Sequence, residues 1–192
     1  NFVGLDGCVL AWDKVDYDGE FELLIPKNTV DKLKALGMSG DVQIRHSKTG
    51  AVFITKDFEV YTRLIEGEYF KYRTMFSELP LHTAVSRISL LDAMIRAKMC
   101  TEERCPVRFE LEEGSLNLSI KDKTTDYHET VELQKNMTKP LTIGFDARLV
   151  LETLKAFDCE NVGLSFGGPK MPMIVEAEDS DFKTIVLPVA LK

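Results

Sequence analysis

The feature that most limits what this chain can fold into is a threefold repetition of one element order. Each copy reads as a short strand, a helix of about three turns and then three strands. The first copy opens at residues 21–26, continues with a helix over 28–36, and places strands near 41–46, 51–55 and 59–65. The second opens at 82–88, with a helix over 89–99 and strands near 107–112, 115–121 and 127–133. The third opens at 141–145, with a helix over 146–157 and strands near 162–166, 173–177 and 182–189. Residue types align as well. Leu33-Lys34-Ala35-Leu36 answers Leu154-Lys155-Ala156-Phe157, and Asp41-Val42-Gln43-Ile44 answers Asn161-Val162-Gly163-Leu164, at offsets of 121 and 120. A near-constant offset across two elements points to duplication.

Local signals support these boundaries. Asn28, Ser89 and Asp146 have side-chain oxygens suited to accept an unpaired N–H of a first helical turn, and Gly37 suits a helix stop. Val107-Arg108-Phe109-Glu110-Leu111 alternates apolar and polar residues, as an antiparallel strand with one buried face requires. The expected fold class is α+β, with helices collected on one side of antiparallel sheets. The stretch from Phe76 to Leu81 carries neither pattern, so a domain boundary is expected there, between residues 1–76 and 77–192. The first copy then stands alone, while the second and third form a complete pair.

Charge is distributed unevenly. The first two helical segments each carry a net +2 and the third balances, which leaves −11 for the rest of a chain of net charge −7. The cations expected on the helix side are Lys27, Lys32, Lys34, Arg87, Arg96, Lys98, Arg148 and Lys155. They could solvate the helices, or follow a DNA backbone electrostatically without reading bases.

Enzyme chemistry finds little support. His46, His82 and His128 fall in different repeats, and no G-x-S-x-G, H-E-x-x-H or phosphate-cradling glycine loop occurs. The acidic pairs Asp57 with Glu59 and Asp179 with Asp181 read as solvated loops. Cys8, Cys100, Cys105 and Cys159 lack the paired spacing of a zinc site and read as reduced cysteines of a cytosolic protein. No apolar run approaches the ~20 residues of a membrane span. Asn1 follows no leader pattern and no initiator Met, so the chain is expected to be the later part of a longer one.

Several segments resemble the bacterial sliding clamp family, the beta subunit of DNA polymerase III. Leu5-Asp6-Gly7-Cys8-Val9-Leu10-Ala11 resembles the family's T-D-G-x-R-L-A. The run from Leu64 to Arg73 resembles L-I-E-G-x-F-P-D-Y-R. Ile143-Gly144-Phe145-Asp146 and the helix after it resemble I-G-F-N-x-x-Y-L, and the run from Ile185 to Leu191 resembles V-M-P-M-R-L. The resemblance spans essentially the whole chain. It implies a DNA clamp fold of repeated β-α-βββ units, with sheets outside and helices toward duplex DNA. Residues 1–76 would be the second half of a middle domain and 77–192 a complete third domain. In the full-length form, two protomers would close head to tail into a homodimeric ring around DNA. No catalytic residue, cofactor or metal is implied, nor any membrane association, and the expected location is cytoplasmic, at the nucleoid.

The resemblance also implies partners: polymerase subunits, the clamp loader and repair proteins, each inserting a short peptide. Carried over residue by residue, that pocket takes Leu5, Gly7, Cys8, Val9 and Leu10, then Phe70, Thr74 and Met75. Asp146, Leu149, Lys170 and Pro172 follow, and the final strand adds Ile185, Val186, Leu187, Pro188 and Val189. Phe70 stands where the family usually has Pro, Thr74, Val9 and Ala190 where it has Arg, and Leu5 where it has Thr, so a less basic pocket is expected. Lys192 extends past the usual terminal Leu. A shortened clamp-like module that binds peptides without encircling DNA is the alternative.

Overall fold

A computed structural model describes residues 1–37, 40–100 and 106–191. Cys105 and Lys192 lie outside the described residues. The chain divides into two compact units, a larger one of residues 1–16 with 75–192 and a smaller one of residues 17–74.

In chain order, the larger unit begins with a hairpin, β1 (Phe2–Leu5) and β2 (Val9–Asp13). The smaller unit supplies α1 (Lys27–Ala35), β3 (Gln43–His46), β4 (Gly50–Ile54) and β5 (Glu59–Arg63). The larger unit resumes with β6 (Leu81–Ser86), α2 (Arg87–Cys100), β7 (Val107–Leu111), β8 (Ser115–Lys121) and β9 (Asp126–Lys135). It closes with β10 (Leu141–Phe145), α3 (Ala147–Lys155), β11 (Asn161–Phe166), β12 (Met173–Ala177) and β13 (Lys183–Val186). This is the α+β alternation expected from the repeats.

The larger unit forms one antiparallel sheet in the order β1-β2-β13-β12-β11-β6-β9-β8-β7-β10. The second and third repeats exchange their opening strands within it. β6 pairs with β11 of the third repeat, and β10 pairs with β7 of the second. Alternation buries Val107, Phe109 and Leu111 of β7 with Leu116, Leu118 and Ile120 of β8. α2 and α3 pack beside each other on this face, closing a core around Leu90, Met94, Val150 and Leu154.

Three local expectations change. Residues 21–26 form no strand. Apart from the helix-entry bonds to Pro26 C=O, their backbone bond is that of Ile65 N–H to Leu24 C=O at 2.8 Å, and an isolated bond cannot hold an extended ladder. α1 starts at Lys27 after Pro26, so Asn28 lies inside the helix and caps nothing. Pro26 suits that entry because its ring fixes φ and no N–H is lost to a partner. α2 likewise starts before Ser89, and the Ser86 hydroxyl, not that of Ser89, accepts a first-turn N–H, from Ser89 at 3.4 Å. The hairpin β1–β2 carries no period-two pattern, yet it joins the sheet through β13.

The smaller unit has the three-stranded sheet β3-β4-β5 with α1 against it. The hydroxyls of Thr29 and Thr62 share a buried hydrogen bond of 2.7 Å that ties helix to sheet. Gly37 takes φ +59° and donates to Lys34 C=O at 3.1 Å, so the expected helix stop is present.

Candidate functional site

The turn between β1 and β2 sets the site's first wall. Asp6 accepts the N–H groups of Cys8 at 3.0 Å and Val9 at 2.8 Å through one carboxylate oxygen. Gly7 takes φ +91°, a conformation open to glycine but strained for other residues. The turn holds Cys8 so that its carbonyl accepts from Leu187 N–H at 3.0 Å. β2 then runs antiparallel to β13, with Leu10 opposite Ile185 and Val9 opposite Val186. Residues some 180 positions apart in sequence are thereby side by side.

Strand alternation sorts these residues onto two faces. Val9 and Val186 join the main core on the helix side. Leu10, Ile185 and its register partner Ile174 are also buried, but they lie outside that core, on the opposite face. The segment after residue 74 contributes to the same unit. Phe76 sits 6.0 Å from Trp12, ring to ring, and a β-carbon at Gly167 would lie 3.2 Å from Leu79 Cδ2 and 2.6 Å from Met171 Sδ. Met75 and Pro172 are half-buried, whereas Leu5, Met171 and Leu187 (36% exposed) remain accessible. The result is an apolar floor with an exposed apolar rim, built from both ends of the chain.

The tail beyond β13 turns toward the helix side. Val189 N–H donates to Gly144 C=O at 2.8 Å, so Pro188 and Val189 run along the end of β10. A β-carbon at Gly144 would lie 2.7 Å from Val189 O, which explains why that position has no side chain. Asp146 caps α3 by accepting Arg148 N–H at 2.8 Å and also pairs with the Arg148 guanidinium at 2.7 Å. The Arg148 side chain is the main reason the Asp146 carboxyl titrates below the usual carboxylate range. Leu149 is half-buried against the main core. Lys170 is exposed in the turn where Met171 N–H meets Gly168 C=O. Phe70 and Thr74 belong to the smaller unit. Phe70 is exposed there, and the Thr74 hydroxyl donates to Lys71 C=O at 3.1 Å.

The sequence reading missed Trp12, Phe76, Leu79 and Ile174. Ile174 was within reach, because strand alternation from Met173 places it opposite the core side. The linker residues carried no pattern to announce them.

Protein groups hold several of the expected DNA-facing cations. Arg87 is half-buried and donates to Cys159 C=O at 2.7 Å. Arg96 makes a two-pronged pair with Glu129, at 2.9 and 2.5 Å. The Tyr127 hydroxyl adds a bond to Glu129 at 2.6 Å and one to Ala93 C=O at 3.0 Å. Arg96 chiefly lowers the Glu129 titration, while burial first and Glu129 second raise that of Tyr127. Lys27 pairs with Asp31 at 2.8 Å and Lys155 with Glu152 at 2.9 Å. Lys98 is exposed at the end of α2. Lys32 and Lys34 have no ion-pair partner among the described residues.

A concavity of about 760 Å³ lies elsewhere, in the smaller unit, and mixes Glu22, Glu66, His46 and Lys48 with Leu24 and Leu64. Among the described residues no cluster of three or more His, Cys, Asp or Glu could hold a metal, and no helix is long and apolar enough to cross a membrane.

Residues 78–190 match the family described as DNA polymerase III beta subunit, C-terminal domain. The beta sliding clamp of Streptomyces coelicolor is 29% identical over 196 residues, covering 94% of this chain and 52% of that protein. The DNA polymerase sliding clamp of Bacillus subtilis superposes with a TM-score of 0.91 at 20% identity, over 99% of this chain and 53% of that one. A Pseudomonas aeruginosa sliding clamp bound to griselimycin gives a TM-score of 0.91 at 21% identity, over 98% of this chain and 54% of its own. The chain thus spans about half the length of the curated relatives it matches.

Proposed function

The chain belongs to the DNA polymerase III beta subunit family, and from that premise we propose that it forms part of a sliding clamp, a processivity factor that tethers polymerases and repair proteins to duplex DNA. Residues 1–76 would be the second half of a middle domain and residues 77–192 the third. The family match beginning at residue 78 supports that division. The proposed role is non-catalytic, that of a tether for enzymes that act on DNA.

One observation carries the reading. Leu10 and Ile185 form a buried apolar floor, and Leu5 and Leu187 form its exposed rim. An extended peptide with large apolar side chains can anchor on such a surface. The peptide would come from polymerase subunits, the clamp loader or repair proteins. With Val9 and Leu5 at the turn, recognition rests on apolar burial more than on charge.

Griselimycin is a suitable probe, since it is bound in the Pseudomonas aeruginosa clamp. Its affinity for this chain should fall at least about tenfold in Leu187→Glu, the loss of one apolar anchor, with the melting curve unchanged. Equal affinity in the variant would overturn the peptide-surface reading.

Duplex DNA is the second proposed partner, encircled by a homodimeric ring of the full-length protein and bound without sequence preference. The engagement of Arg87, Arg96, Arg148, Lys27 and Lys155 by protein groups favours a modest electrostatic contribution from this chain. It also favours the second reading, a peptide-binding module that does not encircle DNA. Retention on closed circular DNA, with release on linearisation, separates the two.

A further inference from the structure

The outer face of the larger unit's sheet carries a strap. Register partners form one row across that face: Leu10 of β2, Ile185 of β13, Ile174 of β12, Ser165 of β11 and His82 of β6. A neighbouring row runs from Trp12 through Lys183 and Glu176 to Gly163. Gly167 therefore lies on the other side of the first row from Trp12. Phe76 meets the Trp12 ring at 6.0 Å, and Leu79 Cδ2 comes within 3.2 Å of a β-carbon built at Gly167. The segment from Phe76 to Leu79 thus crosses the row on a diagonal. Ile174 and Ile185 lie beneath the crossing, which accounts for their burial outside the main core.

The two ends of the strap are held differently. Phe76 rests on an aromatic ring. At the other end Met171 folds back, its N–H donating to Gly168 C=O at 3.2 Å. Its Sδ and Cε come within 2.6 and 2.9 Å of the same point above Gly167 that Leu79 approaches. The thioether and the Leu79 methyl share the space that the glycine leaves open. Leu79 is 7% exposed and Met171 45%. The Met171 side chain therefore closes the strap while remaining open to solvent. Met94, Met137 and Met173 are buried, and Met99 is exposed at the end of α2, on the helix side of the sheet.

We propose that Met171 is an oxidation site through which a peroxide weakens the peptide surface. The inference rests on the peptide-surface reading, because Met171 belongs to the rim of that surface. The thioether sulfur attacks one oxygen of hydrogen peroxide. An S–O bond forms, the O–O bond breaks, and the proton passes to the departing oxygen, which leaves as water. Sulfur loses two electrons and the peroxide gains two. The sulfoxide is polar where the strap has an apolar neighbour. Its oxygen keeps to water, so the side chain turns outward and Leu79 loses its cover. A bound peptide then meets a rim without its methionine and a wall that is held at one end only.

Hydrogen peroxide treatment of the 192-residue chain tests this, followed by dithiothreitol to reduce sulfenic acids and disulfides while leaving sulfoxides in place. Mass mapping should find Met171 and Met99 converted at least about tenfold faster than Met94, Met137 and Met173, following their exposure. Griselimycin affinity for the oxidised chain should fall about tenfold, and the Leu79 methyl resonances should shift. In Met171→Leu, whatever its own starting affinity, peroxide should change that affinity less than about twofold. In Met99→Leu the full loss should remain. A loss that persists in Met171→Leu would overturn the proposal, since Met75, Met99 or Cys8 would then carry it. So would Met171 oxidising no faster than Met173, or Leu79 methyl resonances that stay in place once Met171 is oxidised. The methyl readout needs no ligand, so it separates failure here from failure of the peptide-surface reading, which Leu187→Glu reports.

Discussion

Replacing Asp146 tests how the α3 end of the site is held. Its carboxylate accepts Arg148 N–H at 2.8 Å and the Arg148 guanidinium at 2.7 Å. Asp146→Ala removes both, leaving a first-turn N–H without its cap. Such a loss costs about 0.5–2 kcal/mol, a fall in melting temperature of roughly 2–6 °C for a unit of this size. Asp146→Asn keeps an oxygen for the cap but loses the charge, so at pH 7 it should lose less than half as much. The pH dependence follows from the sign of the shift. Arg148 depresses the folded-state titration of Asp146, so the stabilisation is complete above the ordinary carboxylate value near pH 4. It is lost as pH falls through the lower, folded-state value. Thermal melts followed by circular dichroism at pH 7 and in steps down to about pH 2.5 should show the gap between the unsubstituted chain and Asp146→Asn closing. An unchanged melt for Asp146→Ala at pH 7, or a gap that persists at the acid end, would refute the capping argument. Loss of griselimycin binding in Asp146→Asn with an intact melt would assign the residue to the binding surface instead.

Other substitutions probe neighbouring parts. Gly144→Ala puts a β-carbon 2.7 Å from Val189 O, so residues 187–191 should be displaced from β10 and cut faster in limited proteolysis; an unchanged cleavage pattern would contradict the contact. Glu129→Gln should lower the Tyr127 phenol titration toward, but not fully to, about 10, because burial is the larger cause of its rise; ultraviolet titration reads this, and no movement would remove Glu129 from the account. Leu154→Ala empties a fully buried position between helix and sheet and should cost about 2–5 kcal/mol in urea unfolding, whereas exposed Met99→Ala should stay within about 0.5 kcal/mol; equal effects would mean the core is not where alternation places it.

Much of the architecture is legible in particular residues. The alternation at 107–111 and 115–121 marks β7 and β8 because a strand with one buried face must alternate. Asp146 announces the start of α3 because its short carboxylate reaches a first-turn N–H. The hairpin β1–β2 was harder to see, since Phe2–Leu5 and Val9–Asp13 do not alternate. The Asp6-Gly7 turn between two apolar runs was the available signal. Of the candidate site, the last strand and the Leu5–Leu10 segment could be nominated from sequence through the family resemblance. Their division between two sheet faces could not.

By itself the sequence determined the repeat, the α+β class and most element positions, because periodicity, caps and turns are local properties. Tertiary structure alone decided what depends on distant partners. Residues 21–26 read as a strand, yet a strand exists only where it pairs along an edge, and these residues pair with neither edge strand of β3-β4-β5. Arg96 and Arg148 read as helix-side cations that solvate the helices or face DNA, and the structure sets Glu129 and Asp146 against them. Leu10 and Ile185, at opposite ends of the chain, became one apolar floor only when β2 paired with β13.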